Sequence, residues 1–380
     1  MDFELTKEQQ MIRQMVKEFA KAEIAPLAQT IDKQAVFPIE TFQKMGKLGF
    51  MGIPFPEKYG GSGGDTISYV LAVEEIGRQC GSTGLSYAAA VSLGASPLYY
   101  FGTEEQKIDH LVPLASGTAL GSFGLTEPNA GSDAKGTKTK AIKDGQEYVI
   151  SGEKCWITNA NFARTIIVTA VTGYDDLGRP MISAFIVEKG QKGLSITNPY
   201  DKMGVRGSDT AEIILDGVRV PAHHILGDPN KGFKQFLYTL DGGRISIAAL
   251  SVGIAQAALD ASLSYAKERK QFGQTISSFQ AIQFKLADMA MQIELARQMV
   301  WKAAWLKDNG KPFTKEAAYA KLFASEMATK ASLDAVQIHG GSGYMKESGV
   351  ERLVRDAKLM EIGEGTSEIQ RLVIARQLLA

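Results

Sequence analysis

Three stretches of different hydrophobic period follow one another along the 380 residues. In the first, apolar side chains recur at steps of three and four. Met11, Ile12, Met15, Val16 and Phe19 form a stripe with Lys7, Arg13, Lys17 and Lys21 off it, as an amphipathic surface helix requires. Thr6 and Gln9 supply a capping box at its start. A shorter helix is predicted from Pro38 to Leu48, and two buried ones from Ile67 to Gln79 and from Gly84 to Gly94. Thr103 with Gln106 caps another, which ends near Ser116-Gly117. Gly60-Gly61-Ser62-Gly63-Gly64 reads as a loop, because no strand precedes it as a dinucleotide fingerprint demands.

From 121 to about 220 the period shortens to two. β-Branched runs at Tyr148-Val149-Ile150, Thr165 to Thr172, Met181 to Val187, Leu194 to Thr197 and Ala211 to Val220 alternate with turns such as Asp144-Gly145 and Asp216-Gly217. Six or so short strands with hairpin turns predict an antiparallel barrel or sandwich, not a parallel sheet. Beyond about 230 the helical period returns. Ile282, Leu286, Met289, Ile293, Ala296, Val300 and Ala303 step by four and three, the seam of a long bundle helix. With Ile245 to Leu263, Lys315 to His339 and Glu368 to Leu379 it makes a candidate four-helix bundle. The chain therefore reads as an α+β multi-domain protein. Its parts are an all-α N-terminal domain (1–120), a middle antiparallel β-barrel or sandwich (121–226) and a C-terminal four-helix bundle (227–380).

Charge and composition narrow the function. Lys plus Arg equals Asp plus Glu at 42 each, so no overall field draws the chain to nucleic acid or an anionic membrane. Two distant cysteines, Cys80 and Cys155, imply a reducing compartment, and four histidines without ligand spacing imply no metal site. Met1-Asp2-Phe3-Glu4 lacks the basic, hydrophobic character of a leader, and no run of 18 apolar residues exists. The expectation is a soluble, cytoplasmic protein with no membrane insertion.

Chemistry concentrates near the end of the chain. Glu364 stands between Gly363 and Gly365, where positive φ is accessible and a carboxylate can be presented to a cavity. Ser367 and Gln370 are placed to form a capping box opening a helix to Leu378, which puts this acid beside free backbone N–H groups. A lone acid so held suits a general base next to an oxyanion site; a glycine turn with a solvated Glu is the plainer alternative. Gly124-Leu125-Thr126-Glu127-Pro128-Asn129-Ala130-Gly131-Ser132-Asp133 can offer hydrogen bonds to a polar ligand edge, or is simply a turn-rich loop. Trp156 and Thr158, two apart in a strand, point to one face, where one can pack on a ring and the other bond its edge. Arg269 to Gly273 ends one bundle helix and Gln280 begins the next. The basic groups there can meet a phosphate or complement the helix dipole. Gln337 to Tyr344 is a second glycine turn, explained equally by capping.

In this order the pieces resemble the acyl-CoA dehydrogenase family of flavoproteins over essentially the whole chain. The match is carried by Gly124 to Gly136, by Gln337 to Asp356 with its G-G-S-G-Y core, Glu347 and Arg352, by Trp156-Ile157-Thr158, by Arg269 to Phe272 and by Glu364-Gly365-Thr366. Leu240 to Gln256, Phe284 to Ala290 and Thr366 to Ala375 are most similar to the short-chain (butyryl-CoA) branch. The resemblance implies FAD between the β domain and the bundle. Thr126 and Ser132 would contact flavin or the pantetheine arm, Trp156 would lie near the isoalloxazine, and Thr158 would bond its N5 side. Arg269, Phe272, Gln280, Gln337, Gly340 and Gly341 would hold the pyrophosphate and adenosine half, partly from a neighbouring subunit. Thr366 and Glu368 would face the adenosine end. Ser132, Asp241, Arg244 and Gly365 would bind the acyl-CoA.

It further implies Glu364 as the base that takes the α-proton while a β-hydride goes to flavin N5. The product is a trans-2-enoyl-CoA, and the electrons pass to an electron-transferring flavoprotein. A homotetramer, a dimer of dimers, is expected. Some branches place the base just before the residue matching Arg244; Gly243 there has no side chain to act, which favours Glu364. Gly363 stands where many relatives carry Tyr. Burial against an acyl chain should raise the Glu364 pKa once substrate is bound, outweighing the helix dipole. Two rival readings are a flavin oxidase or monooxygenase on the same fold, and a non-catalytic CoA-ester-binding protein.

Overall fold

Residues 4–379 are described in a computed structural model; Met1-Asp2-Phe3, on which the absence of a leader partly rests, lies outside them. Both capping boxes form. Thr6 accepts from the Gln9 N–H at 3.2 Å and Gln9 accepts from the Thr6 N–H at 3.0 Å, opening α1 (Lys7–Phe19). Its stripe is narrower than expected: Val16 is buried and Ile12 and Phe19 partly so, while Met11 stays 72% exposed and Met15 45%. A helix that the sequence pattern does not announce, α2 (Ala28–Gln34), precedes α3 (Ile39–Lys47). Asp65 caps α4 (Thr66–Gln79), followed by α5 (Gly81–Ala89), a π turn and α6 (Ser96–Phe101). The Thr103–Gln106 box opens α7 (Glu104–Gln106), which runs through a second π turn into α8 (Val112–Ala115).

Among the described residues, the middle of the chain is an eight-stranded sheet, antiparallel as expected except where β1 and β2 run parallel to β4, which makes it mixed. Its strands are β1 (Leu120–Gly124), β2 (Lys140–Asp144), β3 (Glu147–Thr158), β4 (Ala163–Tyr174), β5 (Pro180–Glu188), β6 (Leu194–Ile196), β7 (Thr210–Pro221) and β8 (Ile225–Leu226). The order is β6-β7-β3-β2-β4-β5-β8. β1 lies parallel to β4, Ser122 opposite Ile166, because the β2–β3 hairpin is inserted between them in the chain. Ile150, Ile166, Val168, Phe185, Val187, Ile213 and Val218 fill the sheet's own apolar cluster.

The C-terminal helices share a second cluster with the N-terminal ones. The longest, α9 (Gly232–Glu268), begins 13 residues before the expected Ile245 and spans about 55 Å. It is apolar enough to cross a membrane, but 78% of its apolar window is buried inside the protein, as the core helix of the bundle. A short hairpin, β9 (Lys270–Gln271) and β10 (Gln274–Thr275), leads to α10 (Gln280–Asp308) and then α11 (Thr314–His339). The α10 seam is as predicted from Met289 to Ala303, all buried, while Ile282 and Leu286 are only half-buried. The helix that joins α9 and α11 is α12 (Val350–Ile362), which was not among the four expected helices although Val350, Leu353, Ala357 and Met360 form its buried stripe. The terminal α13 (Ser367–Leu379), expected as the fourth member, packs mainly along α11.

Candidate active site

The connection from α12 to α13 has an unusual backbone. Gly363 is extended (φ −66°, ψ 152°), but Glu364 itself is left-handed at φ 54° and Gly365 follows at 96°. A left-handed non-glycine residue costs on the order of 1–2 kcal/mol, so the turn is held from outside. Lys321 Nζ on α11 donates to the Gly365 carbonyl at 2.7 Å, and Gln370 Nε2 donates to the same oxygen at 2.8 Å. The expected Ser367–Gln370 capping box does not form. Thr366 caps one residue earlier, its Oγ1 accepting from the Ile369 N–H at 3.3 Å, because the Gln370 side chain is turned back onto the Glu364 loop.

The turn sends the Glu364 carboxylate against α9 at Gly243. A Cβ at 243 would lie 2.0 Å from Glu364 Oε2 and 3.1 Å from Leu93 Cδ2, so the missing side chain is what admits the acid. Glu364 keeps part of its residue surface, yet Oε2 is sealed and has no hydrogen-bond partner among the described residues. Burial pushes its pKa up to about 7, and the nearby cations Lys321 and Arg244 oppose the rise. The rise expected on substrate binding is thus already present in the chain alone. Arg244 Nη1 bonds Asp241 Oδ1 at 2.5 Å, and Thr314 Oγ1 donates to Asp241 Oδ2 at 2.6 Å. Burial raises the Asp241 pKa against the pull of Arg244. Arg244 Nε, like Glu364 Oε2, is buried without a partner among the described residues. On the exposed first turn of α13, Glu368 titrates low, through its own backbone N–H and the Thr366 hydroxyl.

A polar cavity of about 200 Å³ lies next to this centre. Tyr69, Ser92, Ser96, Tyr100, Lys307 and Asp308 line it. Ser246 Oγ links the two, donating to the Gly243 carbonyl at 2.8 Å and lying 3.3 Å from Ser92 Oγ.

On the sheet side, Thr126, Trp156 and Thr158 come together. The Thr126 carbonyl accepts from the Cys155 N–H at 2.9 Å, and the Thr158 carbonyl accepts from Ser122 Oγ at 2.6 Å. The simple alternation assumed for Trp156 and Thr158 fails: a bulge between Lys154 and Ile157 leaves Trp156 left-handed at φ 61°. Its indole is 61% exposed and rests on Tyr200 with ring centroids 4.4 Å apart. Thr158 is half-buried and Ser132 exposed on the loop beyond. Phe123 on β1 stacks on Phe236 of α9 at 4.1 Å, so this edge sits about 10 Å along α9 from Gly243.

The loop between β1 and β2 is anchored by a pair that sequence reasoning missed. Lys154 Nζ, fully buried, bonds Glu127 Oε1 at 2.7 Å, and Glu127 also accepts from Thr137 Oγ1 and the Lys138 N–H. Burial works to raise the Glu127 pKa, but Lys154 leads the groups that hold it at about 2. Lys321 was missed as well; its one signal was a lysine among Ala317, Ala318, Ala320 and Ala324 on a buried face.

The remaining candidates gather elsewhere. Tyr265 of α9 stacks on His339 of α11 at 4.3 Å, which brings Arg269, just past α9, to the glycine turn after α11. Arg269, Phe272, Gln280, Gln337, Gly340 and Gly341 are all exposed there, Phe272 by 92% at a left-handed hairpin tip (φ 51°). Sixteen residues of α11 separate Gln337 from Lys321, about 24 Å, so within one chain this group does not join Glu364. Cys80 and Cys155 are free and buried, and no cluster that could hold a metal exists among the described residues.

Three family models match the chain: acyl-CoA dehydrogenase N-terminal domain over residues 6–118, middle domain over 122–218 and C-terminal domain over 230–379. The chain is 80% identical over 379 residues to the probable acyl-CoA dehydrogenase YngJ of Bacillus subtilis (strain 168), with 100% of each covered. Its fold superimposes on butyryl-CoA dehydrogenase from Megasphaera elsdenii with a TM-score of 0.98 at 47% identity, again over 100% of both. A chain of a solved structure described as "Electron transferring flavoprotein of Acidaminococcus fermentans: Towards a mechanism of flavin-based electron bifurcation" gives 0.97 at 49% identity and full mutual coverage.

Proposed function

The chain belongs to the acyl-CoA dehydrogenase family of oxidoreductases, and from that premise we propose that it oxidises a short-chain, butyryl-like acyl-CoA to the trans-2-enoyl-CoA with Glu364 as the base. One observation carries the reading: a carboxylate with one oxygen sealed and unpartnered, titrating near neutrality, set against a glycine on the helix opposite. A group with a pKa of about 7 is deprotonated often enough to accept a proton and basic enough to keep it.

FAD is the proposed cofactor, and the residues fit it. The exposed indole of Trp156 offers a flat apolar surface, with Thr126 and Thr158 beside it for the polar ring edge. When bound, FAD supplies the acceptor for the substrate's β-hydride. Glu364 takes the α-proton, and its backbone N–H is the donor proposed for the thioester carbonyl, whose polarisation makes that proton removable. The left-handed φ of Glu364 lets one residue aim both groups into one cleft. Arg244, spanned by Asp241, keeps positive charge near the carboxylate. Ser132 and Gly365 are proposed to line the path of the thioester arm. Thr366 and Glu368 are proposed to face the adenosine end.

Arg269, Phe272, Gln280, Gln337, Gly340 and Gly341 are proposed to serve the cofactor of a neighbouring subunit, since they lie beyond reach of their own Glu364. Exposed apolar residues on α10 (Phe284, Met291, Leu295) and α13 (Leu372, Leu378) support a tetramer built as a dimer of dimers. An electron-transferring flavoprotein is the proposed electron acceptor. The domain limits proposed are 1–120, 121–226 and 227–380. Anaerobic titration with acyl-CoA thioesters of graded length, watched at the flavin absorbance, tests the reading. Bleaching strongest near four carbons is expected; no bleaching by any thioester would refute it.

A further inference from the structure

Lys321 carries a positive charge into the core with no carboxylate at ion-pair distance among the described residues. It has no accessible surface, and four buried alanines on α11 surround its place in the sequence. Its one hydrogen-bond acceptor among the described residues is the Gly365 carbonyl at 2.7 Å. A methionine would fill similar space without the cost of taking an ammonium out of water. The charge therefore has to be understood through what it faces.

Glu364, Arg244, Glu361 and Glu368 face it. Glu361 is engaged by Lys358 at 2.8 Å and by Thr329, Glu368 is exposed, and Arg244 is spanned by Asp241. Glu364, seen also by Tyr69 from α4, has no such partner. Lys321 on α11 thus bonds the carbonyl of the residue after Glu364, and neither side chain has an ion pair of its own among the described residues.

We propose that Lys321 is the positioning residue of the base: its bond to the Gly365 carbonyl fixes the left-handed turn that aims Glu364 at Gly243, and its ammonium is the charge against which that carboxylate ionises. The proposal rests on Glu364 being the base. In the electrostatics of the site, Lys321 leads the groups opposing the burial-driven rise at Glu364. In return Glu364 leads those opposing the fall of Lys321, which burial takes to about 8.

The test compares wild type, Lys321→Gln and Lys321→Arg as holoenzymes. Single-turnover flavin reduction by butyryl-CoA is followed against pH. A difference infrared titration of the Glu364 carboxyl band, identified by its loss in Glu364→Gln, gives a readout independent of turnover. With Lys321→Gln the acid limb and the infrared midpoint should both move to higher pH by about one unit. The rate at pH 7 should fall several-fold, with KM changed by less than about threefold. Lys321→Arg, which keeps the charge, should leave both within a few tenths of a unit. A Lys321→Gln protein with a lowered Tm but an unmoved limb and midpoint would overturn the proposal, and so would Lys321→Arg shifting as far as Lys321→Gln. If Lys321→Gln does not fold, the arginine variant decides alone by its infrared midpoint: within a few tenths of wild type supports the proposal, and a full unit refutes it. Wild type that no acyl-CoA bleaches would defeat the proposed function instead, while the infrared titration would still read the coupling.

Discussion

The Glu364 carboxylate occupies the space that a side chain at Gly243 would need: Oε2 lies 2.0 Å from where a Cβ would stand. Two positions 121 residues apart in the chain thus share one volume, and only one of them can fill it. The acid on the loop between α12 and α13 and the glycine in the middle of α9 are a single structural choice.

Gly243→Ala follows from that contact. Alanine favours a helix over glycine by about 1 kcal/mol, so the α9 backbone gains. The methyl nevertheless displaces the carboxylate by something near an ångström, and misplacement of that size costs on the order of 100-fold in rate. Stopped-flow flavin reduction should fall by about that factor while far-UV circular dichroism is unchanged.

Stability should run against catalysis at Glu364. The folded-state pKa of about 7 exceeds the unfolded value near 4.3, so between these the folded chain binds the extra proton. Stability from this group therefore falls as pH rises from about 4.5 to 7 and stays low above. The full penalty is at most about 3.5 kcal/mol with the attraction to Lys321 already included, and the residue's partial exposure lowers it further. Glu364→Gln should exceed wild type by about 1–2 kcal/mol at pH 8 and match it near pH 4.5, by denaturant unfolding.

The Glu127–Lys154 pair has the opposite sign. Glu127, held at about 2, contributes stability above its unfolded value, and that contribution is lost as pH falls through 2. Lys154→Met leaves a buried carboxylate without its cation and should cost about 3–5 kcal/mol. Adding Glu127→Gln should recover part of that loss; a double variant no more stable than the single one would remove the pair from the account.

Phe272 is nearly bare at its hairpin tip. Phe272→Ala should leave the helix content of the chain intact but lower flavin content per subunit, and sedimentation should show the proposed tetramer dissociating. Full flavin retention in an intact tetramer would exclude this tip from the cofactor site and the interface.

What the sequence carried best were features set by local rules. The Thr6–Gln9 and Thr103–Gln106 boxes, the Met289 to Ala303 seam and the turn at Glu364 all depend on residues a few positions apart. The parallel pairing of β1 with β4 was illegible, since it joins strands about 40 residues apart with a hairpin between. α12 was passed over although Val350, Leu353, Ala357 and Met360 recur at steps of three and four and are all buried; the glycine turn before it and Gly363 after it drew the reading to the loops instead. The bulge that exposes Trp156 and the grip of Lys321 on Gly365 are tertiary facts: the alanines around Lys321 signal its burial but not its acceptor. The Gln370 error shows the same limit, a correct capping residue type drawn off by a neighbouring carbonyl.

The account is tested most directly by mixing wild type and Glu364→Gln anaerobically with butyryl-CoA and recording flavin bleaching in a single turnover. Wild type should bleach within seconds, and the glutamine variant should bind the thioester yet lose at least about 1,000-fold in rate. Bleaching of both at the same rate would mean that the proton leaves to some other group.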